Sequence, residues 1–144
     1  MKNILITLNF SENDQRLLDQ GYELAKAFKA KLWLMHIAAP NPDFVGYEVG
    51  PQYIRDSRAS KLRHEHQLLQ EYAAAMQIEG VEADGLLIQG ATTEMILEES
   101  KKLKVDLIIA GYQEHDFIYK ALMGNVSSQL IKQSKIPVLI VPLH

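Results

Sequence analysis

Gly111-Tyr112-Gln113-Glu114, followed ten residues later by Gly124-Asn125-Val126-Ser127, is the spacing in this chain best suited to chemistry. The first group follows the strand-like run Val105 to Ala110, and the second opens a helix expected over Val126 to Gln133. A strand that stops on glycine, crosses a loop and re-enters a helix at Gly-x-x-Ser makes a turn suited to anions. Backbone N–H groups at the helix start have no intrahelical partner, and the helix dipole favours negative charge there. Gly124 and Ser127 are therefore phosphate candidates. The plainer alternative is that the glycine admits a turn and Ser127 caps the helix. Glu114 stands where a second glycine would let the backbone come close. A carboxylate ~4 Å from a phosphate charge costs about 4 kcal/mol at an effective dielectric of ~20. That is roughly three decades of affinity. Glu114 escapes this by pointing to solvent, the simpler reading, or by holding a divalent cation that bridges to the phosphates.

The remaining polar candidates are weaker. Asn9 ends the first strand, where its amide oxygen either accepts from a sugar hydroxyl or closes an Asx-type turn. His64 and His66 are two apart on an expected helix and cannot share a face. His36 ends a buried strand and reads as a satisfied core residue. His115-Asp116, after the fourth strand, offers a general base near a bound phosphate. Tyr47, Tyr53 and Arg55 could cover a base or meet a phosphate, with ordinary loop packing the safer view. No Ser-His-Asp order, nucleophile elbow or HExxH helix is present. Fast catalysis is not expected of these residues, and any hydrolysis at a bound phosphate would be slow.

These groups need a scaffold to place them. Ile4 to Leu8, Leu32 to Ile37, the run ending at Ala110, and Val138 to Val141 are continuously apolar, as buried parallel strands are. A fifth run, Val81 to Ile88, is broken by Glu82, Asp84 and Gly85 and suits an edge strand. Helical spacing fills the gaps. Ser11-Glu12-Asn13-Asp14 reads as a capping box in which Asp14 reaches back to the Ser11 N–H. Behind it Leu17, Leu18, Gly21, Leu24, Ala25 and Phe28 share a face. Leu62, Leu69, Tyr72, Ala73 and Met76 stripe a second helix over about 58–76. Thr92 or Thr93 caps a third, with Ile96, Ser100 and Leu103 inward. Val126, Leu130 and Ile131 mark a fourth that ends before Pro137.

Strand and helix thus alternate throughout, which predicts an α/β fold with a parallel sheet and right-handed crossovers. One long irregular segment, from Ala39 to about Asp56, leaves the carboxyl edge after the second strand. Ligands of open α/β sheets bind at that edge.

The bulk numbers fit a single domain over 1–144, without repeats or low-complexity tracts. An apolar share of 47% and a charged share of 23% are ordinary for a soluble chain. The net charge of −3 argues against nucleic-acid binding, which wants a basic face. Cysteine is absent, which excludes disulfides, a thiolate nucleophile and Cys-based zinc. No stretch approaches the ~20 apolar residues of a membrane span, and residues 1–9 lack a secretory cleavage pattern. A cytoplasmic location is expected.

The residues resemble the universal stress protein family over essentially the whole chain. Ile4-Leu5-Ile6-Thr7-Leu8-Asn9-Phe10-Ser11 resembles its first strand and turn, where nucleotide-binding members carry Asp at the position of Asn9. Leu34-Met35-His36-Ile37 resembles its second strand, and Gln89-Gly90-Ala91 the glycine turn after the third. Ile108-Ile109-Ala110-Gly111 and Ile136-Pro137-Val138-Leu139-Ile140-Val141-Pro142 match strands four and five. The resemblance implies a three-layer open sandwich whose five-stranded parallel sheet has order 3-2-1-4-5, with helices on both faces. It also implies a homodimer through the C-terminal strand, 136–142. The nucleotide-binding branch reads Gly, two residues, Gly, nine residues, Gly, then Ser or Thr. Here Gly111 and Gly124 keep the outer separation, Glu114 replaces the middle glycine, Asn125 follows Gly124, and Val126-Ser127 still matches. The pattern is intermediate between the branch that binds ATP and the branch that does not.

What the resemblance implies for function is regulatory binding of ATP, with Mg²⁺, or AMP in a stress response. Adenosine would lie across Leu8, Asn9, Ile37, Ala110 and Gly111, the ribose would approach at Gly90, and the phosphates would sit over Gly124, Asn125, Val126 and Ser127 beside Glu114. The alternative is a dimeric interaction module of the same family that binds no nucleotide.

Overall fold

The computed structural model describes residues 1–38, 52–89, 92–112 and 126–143. In chain order the elements are β1 (Asn3–Thr7), α1 (Asp14–Phe28), β2 (Lys31–Ala38), α2 (Gln52–Ile78), β3 (Ala83–Gln89), α3 (Thr92–Lys102), β4 (Leu107–Tyr112), α4 (Val126–Gln133) and β5 (Val138–Pro142). The strands form one parallel sheet of order β3-β2-β1-β4-β5. That is the order expected, with β3 at an edge.

The continuous apolar runs follow from this arrangement, because each strand must satisfy two hydrophobic layers. Ile4 and Ile6 of β1, Leu32 and Leu34 of β2, and Leu107 and Ile109 of β4 join Leu17, Leu18 and Ala25 of α1 and Leu69, Ala73 and Met76 of α2. Their alternating neighbours Leu5, Met35, Ile108 and Ala110 turn to the other face, against Ile96 of α3 and Leu130 of α4. Helices therefore cover both faces, α1 and α2 on one and α3 and α4 on the other. Gly21 of α1 lets that helix settle on β1: an added Cβ would lie 2.2 Å from Ile6 Cδ1.

At the amino edge, the Asp106 carboxylate accepts the N–H groups of Lys2 and Asn3 at 2.7 and 2.9 Å. The Asn3 side chain in turn accepts from the Trp33 indole at 3.2 Å, so β1, β2 and the entry to β4 are joined there.

Several expected details are corrected. α2 begins at Gln52, so residues 52–56, expected within the irregular segment, are helical. Phe28 and Ile131, expected on buried helix faces, are 52% and 65% exposed. Both lie at or near the ends of their helices, beyond the cover of the opposing sheet.

Candidate functional site

The chain runs outward from β1 through β2 to β3, then returns to the other side of β1 for β4 and β5. Helix α1, which follows β1, and helix α4, which follows β4, lie on opposite faces of the sheet, so the carboxyl ends of β1 and β4 meet at its switch point. A cavity of about 140 Å³ lies there. Thr7, Leu8 and Asn9 from the end of β1 line it, with Met35 and Ile37 of β2 and Ala110 and Gly111 of β4. Ile96 of α3 and Val126 and Ser127 from the first turn of α4 complete the wall. Apolar side chains and polar groups share the lining, and the polar groups gather where β1 and β4 meet α4.

Of the residues singled out in the sequence, Leu8, Asn9, Ile37, Ala110, Gly111, Val126 and Ser127 converge on this one cavity. Gly90, Glu114, Gly124, Asn125, His115 and Tyr47 lie outside the described residues, as do the side chains of Tyr53 and Arg55. Thr7, Met35 and Ile96 were missed. Strand alternation carried the signal for the first two: Thr7 lies two residues before Asn9, and Met35 two before Ile37, on the same face.

Ser127 is buried and its hydroxyl donates to the Gly111 carbonyl at 2.8 Å. It thereby fastens the start of α4 to the end of β4, rather than capping its own helix. The hydroxyl oxygen keeps lone pairs that can still accept. Beside it Thr93 of α3 donates to the Gln129 side chain of α4 at 2.5 Å, which fixes the two helices on that face. At Gly111 the backbone comes close to the Leu143 side chain: an added Cβ would lie 2.4 Å from Leu143 Cδ1, which would have to move aside.

The turn from β1 into α1 presents Asn9 to the opening. Asn9 is exposed, and its carboxamide makes no hydrogen bond to the described residues, which leaves out an Asx turn. The backbone beneath it is held firmly. Leu8 N–H donates to the Met35 carbonyl at 2.8 Å. Phe10 N–H donates to Asp14 Oδ2 at 2.8 Å, and Asn9 N–H reaches Oδ1 at 3.5 Å. The expected capping box is therefore corrected. Helix α1 starts at Asp14 with Asn13 as its N-cap, and the carboxylate serves chiefly the Phe10 and Asn9 N–H groups, with the Ser11 hydroxyl at 3.4 Å as a further donor. The cause is the left-handed backbone of Phe10, φ 59°, which swings the preceding amides toward Asp14. Asp14 is 2% exposed. Burial pushes its carboxyl above the ordinary value, against the Phe10, Asn9 and Ser11 donors that pull it down.

His36 has both ring nitrogens partnered, as its strand-end position suggested. Nδ1 lies 2.8 Å from the Leu8 carbonyl oxygen and Nε2 2.5 Å from Glu65 Oε2 on α2. Among the described residues, no helix is long and apolar enough to cross a membrane.

An open, doubly wound sheet with a crevice at its switch point defines a ligand-binding type of α/β protein. The model of the universal stress protein family matches residues 1–142, and the chain belongs to that family. It is 30% identical over 143 residues to a universal stress protein of Thermus aquaticus, across 97% of this chain and 98% of the relative. A universal stress protein solved in complex with cAMP superposes with a TM-score of 0.73 at 20% identity, over 99% of this chain and 98% of that one. A universal stress protein family protein from Arabidopsis thaliana with AMP bound gives 0.65 at 18% identity, over 99% and 91%. At these identities the two structures speak for the fold.

Proposed function

We propose that the crevice between β1, β4 and α4 binds an adenine nucleotide and that occupancy regulates the protein's conformation or partner affinity. The observation that carries this reading is the convergence of Asn9, Ile37, Ala110, Gly111, Val126 and Ser127 on one cavity at the carboxyl edge. The base would sit against the apolar wall of Ile37, Ile96 and Ala110, the ribose hydroxyls would meet the Asn9 carboxamide, and the phosphates would lie over 124–127 at the mouth of α4. Relatives solved with cAMP and with AMP support the ligand class. Mg²⁺ enters as the counter-ion of ATP. The protein works in the cytoplasm as a homodimer joined through residues 136–142.

A second reading rests on Ser127 and Asn9. The Ser127 proton is already committed to Gly111, and Asn9 is a weaker acceptor than a carboxylate would be. A dimeric interaction module that binds no nucleotide has both features. Thermal unfolding with Mg²⁺–ATP, AMP and cAMP separates the two. A ligand at 100 times its Kd adds about 2.7 kcal/mol of stability, so a binder's midpoint rises with concentration. A midpoint unmoved at millimolar nucleotide leaves the interaction module.

A further inference from the structure

Beneath the turn that carries Asn9, on the face covered by α1 and α2, a half-buried histidine meets a buried carboxyl, and nucleotide binding uses neither. His36 and Glu65 are 15% and 7% exposed at their side chains. The Leu8 carbonyl can only accept, so Nδ1 of His36 must bear a hydrogen. An ionised carboxylate also only accepts, so Nε2 must bear one too, unless the Glu65 carboxyl carries the proton and donates it. In either arrangement the pair holds one proton more than a neutral imidazole facing a carboxylate, and that proton belongs to the pair. We propose that this shared proton couples α2 to the β1–α1 turn and positions Asn9 at the pocket, so that the site responds to pH.

Every link in that coupling is short. The Phe10 ring sits 4.3 Å from the His36 ring, tilted by 44°. Phe10 itself has φ 59°, a conformation that a bulky side chain keeps only where its surroundings hold it. The described charged groups around the pair are few. Glu65 faces His36 from α2, with Lys61 one turn earlier and exposed. Asp14 of α1 reaches the same turn through the Phe10 N–H. From β3, the residue in register with His36 is Leu87, which carries no charge. Loss of the proton would set an ionised carboxylate against the lone pair of Nε2, in a place too buried for water to separate them. The contact would then open, and the ring, no longer held on its Glu65 side, would shift beneath Phe10 and weaken the Nδ1–H hydrogen bond to the Leu8 carbonyl.

The effect on ligand affinity rests on the nucleotide reading; the coupling of proton to turn does not. The test follows the His36 ring nitrogens and the Asn9 and Phe10 amides by NMR in the ¹⁵N-labelled, nucleotide-free chain, between about pH 5 and pH 9. The expected result is one titration step seen together by the ring and both amides. In Glu65→Gln the carboxamide donates to a neutral Nε2, and the amides lose that step. A ring that does not titrate in this range, amides that ignore the ring, or a Glu65→Gln profile like the wild type would each overturn the proposal. The wild-type coincidence alone decides the matter should the variant fold poorly. A fluorescent ATP analogue supplies the second arm. Its affinity is expected to fall at least about fivefold as pH rises through the step, and a pH-independent affinity would overturn the link to the site. If the analogue binds at no pH while the amides follow the ring, the nucleotide reading fails and the proton coupling stands.

Discussion

Asp14 shows how one side chain can set the geometry of a pocket it does not line. Its carboxylate gathers the Phe10 and Asn9 amides into the turn, and burial raises its proton affinity in the fold. The folded value lies above the unfolded one, so this group's contribution to stability is full below the unfolded value and is lost as pH rises through the folded value. Asp14→Asn keeps an oxygen for the Phe10 N–H and removes the ionisation. Urea unfolding of both proteins from acid to neutral pH should show the wild type losing ground to the variant as pH rises; parallel curves would contradict this. The spacing of Ser11 and Asp14 revealed a structured helix start but not its acceptor geometry. Nothing in Asn9-Phe10-Ser11 announces a left-handed phenylalanine, since the residues that usually adopt that backbone are glycine and asparagine.

Among the elements, the strands were the most legible and the helix boundaries the least. A strand buried on both faces must be apolar through its middle, and β1 at Ile4–Ile6, β2 at Leu32–Met35 and β4 at Leu107–Ala110 are. Helix α2 was cut short because Gly50 and Pro51 read as loop although Pro51 directly precedes the helix. β5 carries the assembly prediction. Among the described residues it pairs only with β4, and Val138, Leu139 and Ile140 remain half-buried in the isolated chain. An apolar edge of this kind is adhesive unless paired. We expect a dimer by light scattering at micromolar concentration and a shift to monomer in Ile140→Lys. A wild type that already runs as a monomer would refute pairing through β5.

For the molecule as a whole, acid sensitivity should begin at the amino edge of the sheet. The N–H groups of Lys2 and Asn3 hold the Asp106 carboxyl below its ordinary value. Its stabilisation is present above the unfolded value and disappears as pH falls through the folded one. Asp106→Asn should therefore flatten the acid limb of the stability curve, seen as a smaller drop in unfolding midpoint between about pH 5 and pH 3; an unchanged limb would place the acid lability elsewhere. The same sheet imposes an order of events on synthesis. β1 sits at the centre, and Ile4 pairs with Leu107, more than a hundred positions later in the chain. Its partnership with β2 can form early, yet its other flank must wait until most of the polypeptide has left the ribosome. Loop closure over such a span is slow, so the half-built sheet exposes a bare apolar strand to the cell throughout that delay. Nascent chains stalled before β4 are where chaperone capture should concentrate.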